Sequence, residues 1–265
     1  MIKLSIITIN YNNKEGLSRT IKSIIEQTWL KFEYIVIDGG SNDGSVDIIK
    51  CYSSNITYWI SEKDTGVYNA MNKGIKIANG EYILFINSGD ILHDNFSLSN
   101  INIHLNNFDI ISFNLRVVGE NIDFIKRYPH KVSFNYLIKD TLPHPASFIK
   151  KSLFDIVGYY DENLKIVSDW KWFIIALFKY NLSHIHYDNV ISIFYLDGIS
   201  SSNENNELIQ KEKTHTFEKE FARFYLEYTS NLEKEEYYEK LKNNIIYKII
   251  IKFYLLKDRI KKFIK

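Results

Sequence analysis

Three aspartates follow apolar runs in the first part of the chain. Asp38 ends "FEYIVID", Asp64 follows "ITYWISEK", and Asp90 ends "GEYILFINSGD". In the last, Ile83 to Ile86 run straight into Asn87, Ser88, Gly89 and Asp90. An acid held at the end of a buried strand has a chemical use if it meets a cation. Mg2+ and Mn2+ take oxygen ligands, often one or two carboxylates with phosphates and waters completing the shell. Asp90 beside the small Ser88 and Gly89 leaves room for a diphosphate, and Asn87 can donate or accept a hydrogen bond. These residues suggest a nucleoside diphosphate bridged to the protein by a metal. Each acid alone is also an ordinary turn residue, because turns select Asp, Asn and Gly.

The elements that must position these acids alternate. "KLSIITIN" (3–10) reads as a buried strand. A helix follows with Leu17, Ile21, Ile24 and Ile25 at helical spacing and Asn13 as its N-cap. Strands are expected at 32–38, 56–62 and 81–86. Asp43 or Ser45 can cap a helix after the second strand, and a further helix is expected at 65–80, closed by Asn79-Gly80 as a left-handed C-cap. This alternation is that of a doubly wound α/β sheet, in which ligands bind beyond the carboxyl ends of the strands. Those ends carry Asn10-Tyr11, Asp38, Asp64 and Asn87 to Asp90.

The second half is less regular. A strand is expected at 108–118 and a helix at 168–180, with Ser168 as N-cap, Asp169 in its first turn, and Trp172, Ile175, Ala176 and Lys179 on one face. Two of the three prolines flank His144 and push the residues before them to extended geometry, so that segment reads as a turn. His184 and His186 alternate as on a strand and read as structural.

Composition excludes several classes. The net charge of +1 favours no nucleic acid partner, and one cysteine, Cys51, rules out an intrachain disulfide framework and a multi-cysteine metal site. The start lacks the apolar core of a signal peptide, and no uncharged apolar run is long enough to span a membrane. "DGGSNDG" is not the dinucleotide fingerprint, and P-loop, zinc-protease and G-x-S-x-G signatures are missing from the sequence.

"SIITINYNN", "YIVIDGGSNDGS" and "SEKDTGVYNAMNKGIKIANGEYILFINSGD" together resemble a family 2 glycosyltransferase with the A-type fold, nearest to bacterial enzymes that build surface polysaccharides. The resemblance weakens through "HPASFIKKSLFDIVGYYDENLKIVSDWKWFI" and fades by residue 205. It implies a Rossmann-like, mostly parallel central sheet flanked by helices. The implied layout is a catalytic domain at 1–205, with a nucleotide-binding half at 1–95 and an acceptor-binding half at 96–205, and a helical extension at 206–265.

The resemblance also implies roles. Thr8, Asn10 and Tyr11 line the nucleoside pocket, Asp38 contacts the base or ribose, and Asp64 and Asn72 face the nucleoside. Asn87 and Ser88 lie at the nucleotide. Asp90 is the ligand of a divalent metal, Mn2+ or Mg2+; Gly89 stands where the commoner motif has another acid. Asp169 is the general base, held ionised by the helix dipole, and on sequence pattern alone it reads equally as an ordinary helix-start acid. The implied reaction is inverting transfer of a hexosyl or N-acetylhexosaminyl group from a nucleotide-sugar, UDP favoured, to a glycan or lipid-linked acceptor. His144 and Ser200 are weaker candidates for acceptor or phosphate contact.

The segment 243–265 is basic, with apolar residues every three or four positions. It reads equally as a helix for an anionic membrane surface or as one packed on protein, in this chain or in a homodimer. The expected location is cytoplasmic, with a peripheral place at the inner membrane face as the variant of that reading. Two competing readings are a nucleotidyltransferase, for which "NYNNKEG" lacks the glycine-rich basic loop, and a non-catalytic subunit that binds nucleotide-sugar or glycan.

Overall fold

The computed structural model describes residues 2–101, 105, 108–196 and 205–230. The chain divides into two compact units, Met1–Lys213 and Thr214–Lys265. In the first, strand β1 (Leu4–Asn10) is buried throughout and leads into helix α1 (Lys14–Ile25). Asn13 caps α1, its side-chain oxygen accepting from the Gly16 N–H at 3.1 Å. Strand β2 (Phe32–Asp38), helix α2 (Ser45–Cys51), strand β3 (Tyr58–Ser61), helix α3 (Val67–Ile77) and strand β4 (Tyr82–Phe85) complete the alternation.

These strands lie in the order β3-β2-β1-β4 and are parallel throughout. Their continuous apolar runs follow from burial on both faces. Ile6, Val36 and Leu84 point to one core with Leu17, Ile21 and Ile24 of α1. Ile7, Ile35, Ile37, Ile83 and Phe85 point to the other, with Met71 and Ile75 of α3. Parallel pairing places Asn10 level with Asp38, and Asp38 level with Ser61. One rim therefore carries every candidate acid of this half.

The next elements are strand β5 (Ile91–Leu92), helix α4 (Ser97–Ile101), strands β6 (Ile110–Gly119) and β7 (Ile122–Lys126), and helix α5 (Phe134–Lys139). Strand β8 (Ser147–Lys150), helices α6 (Leu153–Val157) and α7 (Ser168–Phe178), strand β9 (His184–Tyr195) and helix α8 (Asn206–Glu220) follow. The sheet continues β4-β8-β6-β9-β5, with β7 on β6. Here β8 runs antiparallel to both neighbours while β6 and β9 are parallel. Among the described residues no helix is long and apolar enough to cross a membrane.

Three local expectations change. Helix α3 stops at Ile77 and Ala78 turns extended (φ −54°, ψ 139°), so Asn79-Gly80 is not a left-handed cap. Gly80 is needed for close approach instead: a Cβ there would lie 2.4 Å from the Ser5 nitrogen. Ser168 does not cap α7; Val167 holds that position, and the Ser168 hydroxyl accepts from the Asp161 N–H at 2.6 Å. Helix α7 has no single apolar face, since Trp170, Trp172, Phe173, Ile174 and Ala176 are all buried. His144–Ala146 forms one 3-10 turn, entered from an extended Pro143.

The two histidines of β9 form a buried chain. The Asn114 amide is oriented by the Tyr128 N–H and the Asp188 carbonyl. Its oxygen faces His186 Nε2 at 3.1 Å, so that nitrogen donates. His186 Nδ1 then accepts from the Ser112 hydroxyl at 3.0 Å, and Ser112 accepts from His184 Nε2 at 2.8 Å. Each link has one proton: a proton added to His186 enters at Nδ1 and puts two donors on the Ser112 link, whereas His184 already donates through Nε2 and would take its charge at Nδ1. Burial, with His186 adding, pushes the His184 pKa down from 6.5 to about 4. The unfolded chain takes up that proton first, so this stability is complete above 6.5 and is lost as the pH falls toward 4. The melting temperature is expected to drop between pH 7 and pH 5, and less so in His184→Gln; equal slopes in thermal scans would show that the chain does not titrate.

Candidate active site

The centre of the rim is the Asp38 carboxylate, which is fully buried. Oδ1 accepts from Asn10 Nδ2 at 2.7 Å and the Ser41 hydroxyl at 2.6 Å. Oδ2 accepts from the Ser41 N–H at 2.9 Å and the Ser61 hydroxyl at 2.6 Å. Burial pushes its pKa up, but the bonds from Ser41, Ser61 and Asn10 outweigh it and hold the group below the usual carboxylate value. The ends of β1, β2 and β3 are thus tied to one charge. The loop after β1 is also fastened to the loop after β2. Asn12 donates its N–H to Ser41 and accepts from the Asn42 N–H, and the Lys14 N–H reaches Asp43 at 2.8 Å. Asn12 sits at φ +49°, a conformation that Asn tolerates better than most residues.

Beside this hub lies a wall made by Tyr11, Gly39 and Asp64. Tyr11 is 66% exposed. A Cβ at Gly39 would lie 2.5 Å from Asp64 Oδ2 and 3.2 Å from the Tyr11 ring, so only glycine lets the two side chains converge. Asp64 Oδ1 accepts from the Gly66 N–H at 3.0 Å. Burial raises the Asp64 pKa, with Gly66 and Lys73 opposing and the Asp38 charge adding. An open aromatic ring beside a partly desolvated acid suits a flat, hydrogen-bonding ligand.

The turn after β4 closes the other side. The Thr20 hydroxyl of α1 donates to the Asp90 carbonyl at 2.6 Å and accepts from the Gly89 N–H at 3.0 Å. Asn13 Nδ2 donates to the Ser88 carbonyl at 3.1 Å. Gly89 has φ +111°, so the residue standing where the commoner motif has an acid is one whose backbone favours glycine. Asp90 is 8% exposed and its Oδ1 accepts from the Tyr195 N–H at 3.3 Å. Asn87 Oδ1 is buried with no hydrogen-bond partner. Among the described residues no group of three or more His, Cys, Asp or Glu forms a metal cage. One carboxylate and an orphaned amide oxygen nevertheless fit a cation that keeps waters and substrate phosphates as its other ligands.

Asp169 is tied to α3. This helix starts just past β3, and its Tyr68 hydroxyl lies 2.5 Å from the Ile166 carbonyl and 3.0 Å from Asp169 Oδ1. Its single proton serves either acceptor. Burial, and then the nearby Asp169 charge, push the Tyr68 pKa well above its usual value, so it stays a donor. Asp169 itself is half-buried in the first turn of α7.

Several expected residues sit behind the site. Thr8 is fully buried; it accepts from the Tyr34 hydroxyl and donates to the Ile86 carbonyl, so it presents nothing to a ligand. Asn72 is 3% exposed and bonds Tyr160 through both ends of its amide and Glu162 through its nitrogen, which fixes the loop before α7. His144 stacks on Phe85 at 4.8 Å and pairs with the Tyr160 hydroxyl at 2.9 Å. Burial lowers its pKa, with Asp169 opposing, so it is a neutral member of an aromatic cluster. Ser200 and the segment 243–265 lie outside the described residues. Sequence reading missed Ser41 and Ser61, whose hydroxyls complete Asp38, and Tyr68; the only signal for Ser41 was its place directly after Gly39-Gly40.

The fold is the A-type fold of glycosyltransferases. The model of glycosyl transferase family 2 matches residues 5–159, and the chain belongs to that family. It is a glycosyltransferase. It is 35% identical over 181 residues to an uncharacterised glycosyltransferase of Mycobacterium tuberculosis, covering 65% of this chain and 68% of that one. Among solved structures it resembles S. aureus TarS 1-349 in complex with UDP-GlcNAc (TM-score 0.63, 19% identity, 82% of this chain, 67% of that one). It spans 44% of the longer TarS chain. It also resembles a mannosyltransferase of Pyrobaculum calidifontis in complex with GDP-Man and Mn2+ (TM-score 0.59, 16% identity, 75% of this chain, 58% of that one).

Asp38→Asn replaces one acceptor oxygen with an NH2 group that faces other donors. The variant is expected to lose about 1–3 kcal/mol in urea unfolding. A loss below about 0.5 kcal/mol would show that the strand ends do not depend on this carboxylate.

Proposed function

We propose that the chain transfers a hexosyl or N-acetylhexosaminyl group from a nucleoside-diphosphate sugar, UDP favoured, to a hydroxyl of a glycan or lipid-linked acceptor, with inversion at the anomeric carbon. The observation that supports this reading is the Asp90 turn and the Tyr11–Gly39–Asp64 wall at the carboxyl ends of the parallel strands, with Asp169 bonded by Tyr68 of the helix that follows β3. The UDP-GlcNAc bound to TarS and the GDP-Man bound to the mannosyltransferase support a nucleotide-sugar donor. A place at the inner face of the membrane, within surface polysaccharide synthesis, belongs to the same proposal.

In this reading Tyr11 and Asp64 take the nucleoside, with Asn10 and Asp38 fixing the loops around it. Asp90 and the Asn87 oxygen hold a divalent cation; the Mn2+ bound to the Pyrobaculum neighbour supports that choice. When bound, the cation offsets the charge that develops on the leaving diphosphate. Asp169 accepts the proton of the acceptor hydroxyl as that oxygen attacks the sugar carbon and the bond to the diphosphate breaks. Tyr68 orients Asp169 from the side of α3.

A panel of nucleotide-sugars assayed with Mn2+, Mg2+ or EDTA tests this. Turnover of one donor is expected only with metal, and Asp90→Ala is expected to abolish it. Asp169→Asn is expected to lower transfer by about a hundred-fold to ten-thousand-fold while calorimetry shows unchanged donor affinity. Donor binding without turnover against any acceptor would favour the non-catalytic subunit. Full activity in EDTA would remove the metal from the account.

A further inference from the structure

We propose that Glu212 of α8 is the positioning residue that holds Asp169 in its working geometry; this rests on Asp169 being the base. Glu212 is only 7% exposed, although it belongs to a charged helix. Its carboxylate accepts from three successive backbone N–H groups: Lys165 at 2.7 Å, Ile166 at 3.1 Å and Val167 at 3.2 Å. These amides immediately precede α7, whose first turn carries Asp169. No side chain caps α7 locally, and the distant Glu212 carboxylate binds the backbone leading into it. Charge-assisted bonds of this kind are about twice as strong as neutral ones.

The same three residues are gripped from the opposite side. The Ile166 carbonyl takes the Tyr68 hydroxyl that also reaches Asp169. The loop therefore has its N–H groups fixed by α8 and a carbonyl fixed by α3, and Asp169 stands two residues beyond it. The next residue of α8 acts on the other flank: the Lys213 ammonium sits 4.9 Å over the ring of Trp170, which adjoins Asp169. Two successive residues of α8 thus hold the backbone just before Asp169 and the side chain just after it. Helix α8, like α7 itself, lies beyond residues 5–159 matched by the family model. A base displaced by about 1 Å loses about a hundred-fold in rate, because proton transfer requires the acceptor oxygen within hydrogen-bond reach.

The experiment is steady-state kinetics of the full chain with its identified donor and acceptor, for Glu212→Ala, Glu212→Gln, Asp169→Asn and the Glu212→Ala/Asp169→Asn double variant. Glu212→Ala is expected to lower kcat for transfer by about ten- to a hundred-fold. Donor affinity by calorimetry should stay within about two-fold of wild type, and Glu212→Gln, which keeps one acceptor oxygen, should fall between. The double variant should be no slower than Asp169→Asn, because a positioning residue has nothing to position once the base is gone. A merely structural role would instead lower kcat and donor affinity together and slow the double variant further. If Glu212→Ala does not fold, Glu212→Gln decides: wild-type kcat in it overturns the proposal. Full activity in Asp169→Asn overturns the base assignment and this inference with it. An inactive Asp169→Asn beside a fully active Glu212→Ala overturns this inference alone.

Discussion

A buried carboxylate with four short hydrogen bonds fixes the working edge of this protein. Asp38 has no solvent to stabilise its charge, so its donors must do so, and they come from three different strand ends and their loops. A buried charge with one partner removed is costly, which makes the arrangement close to all-or-none. The parallel register of β1, β2 and β3 brings Asn10, Asp38 and Ser61 level, and the sheet supplies that register through two apolar faces packed under helices. Polar rim and apolar sheet are therefore one construction. The strands align the donors, and the carboxylate closes the loops that the strands leave open.

The second half uses another device. Phe85, His144, Tyr160, Phe154 and Trp172 pack ring against ring, with neighbouring centroids about 5–6 Å apart. This aromatic wedge stands between the end of β4 and helix α7. His144 and Tyr160 satisfy one another inside it, so the cluster holds its polar atoms without water. Tyr68 stands at its edge, 5.8 Å from Tyr160, and passes the rigidity on to Asp169. The acid of the second half is thereby referred to the same frame as the acids of the first, although the two are separated by the irregular segment after Asp90.

Much of the first half was legible because its signals were local. Strand β2 falls on the expected 32–38, and the Asn13 cap of α1 was readable from an Asn placed before a periodic apolar run. The family motifs pointed to Asp38, Asp64, Asp90 and Asp169 as candidates. What they could not show is which motif residues face outward. Thr8 and Asn72 belong to the matched stretches but bond inward, because period-2 and period-3.6 patterns give a face and not a hydrogen-bond partner. Tyr68 and Glu212 were invisible for the opposite reason. Their partners lie about a hundred and about forty-five positions away, and nothing in a single sequence connects them. The left-handed ending assigned to Asn79-Gly80 failed because Gly80 answers to the approach of the Ser5 backbone.

The proposed chemistry is a single direct displacement at the sugar carbon, with Asp169 as its one base. The most direct measurement is the anomeric configuration of the first-formed product, read from proton NMR coupling constants during turnover of the identified donor. One base and one displacement predict a product whose configuration is opposite to that of the donor. A product of the same configuration would require a second displacement, and would contradict the role given to Asp169 and to the geometry that holds it.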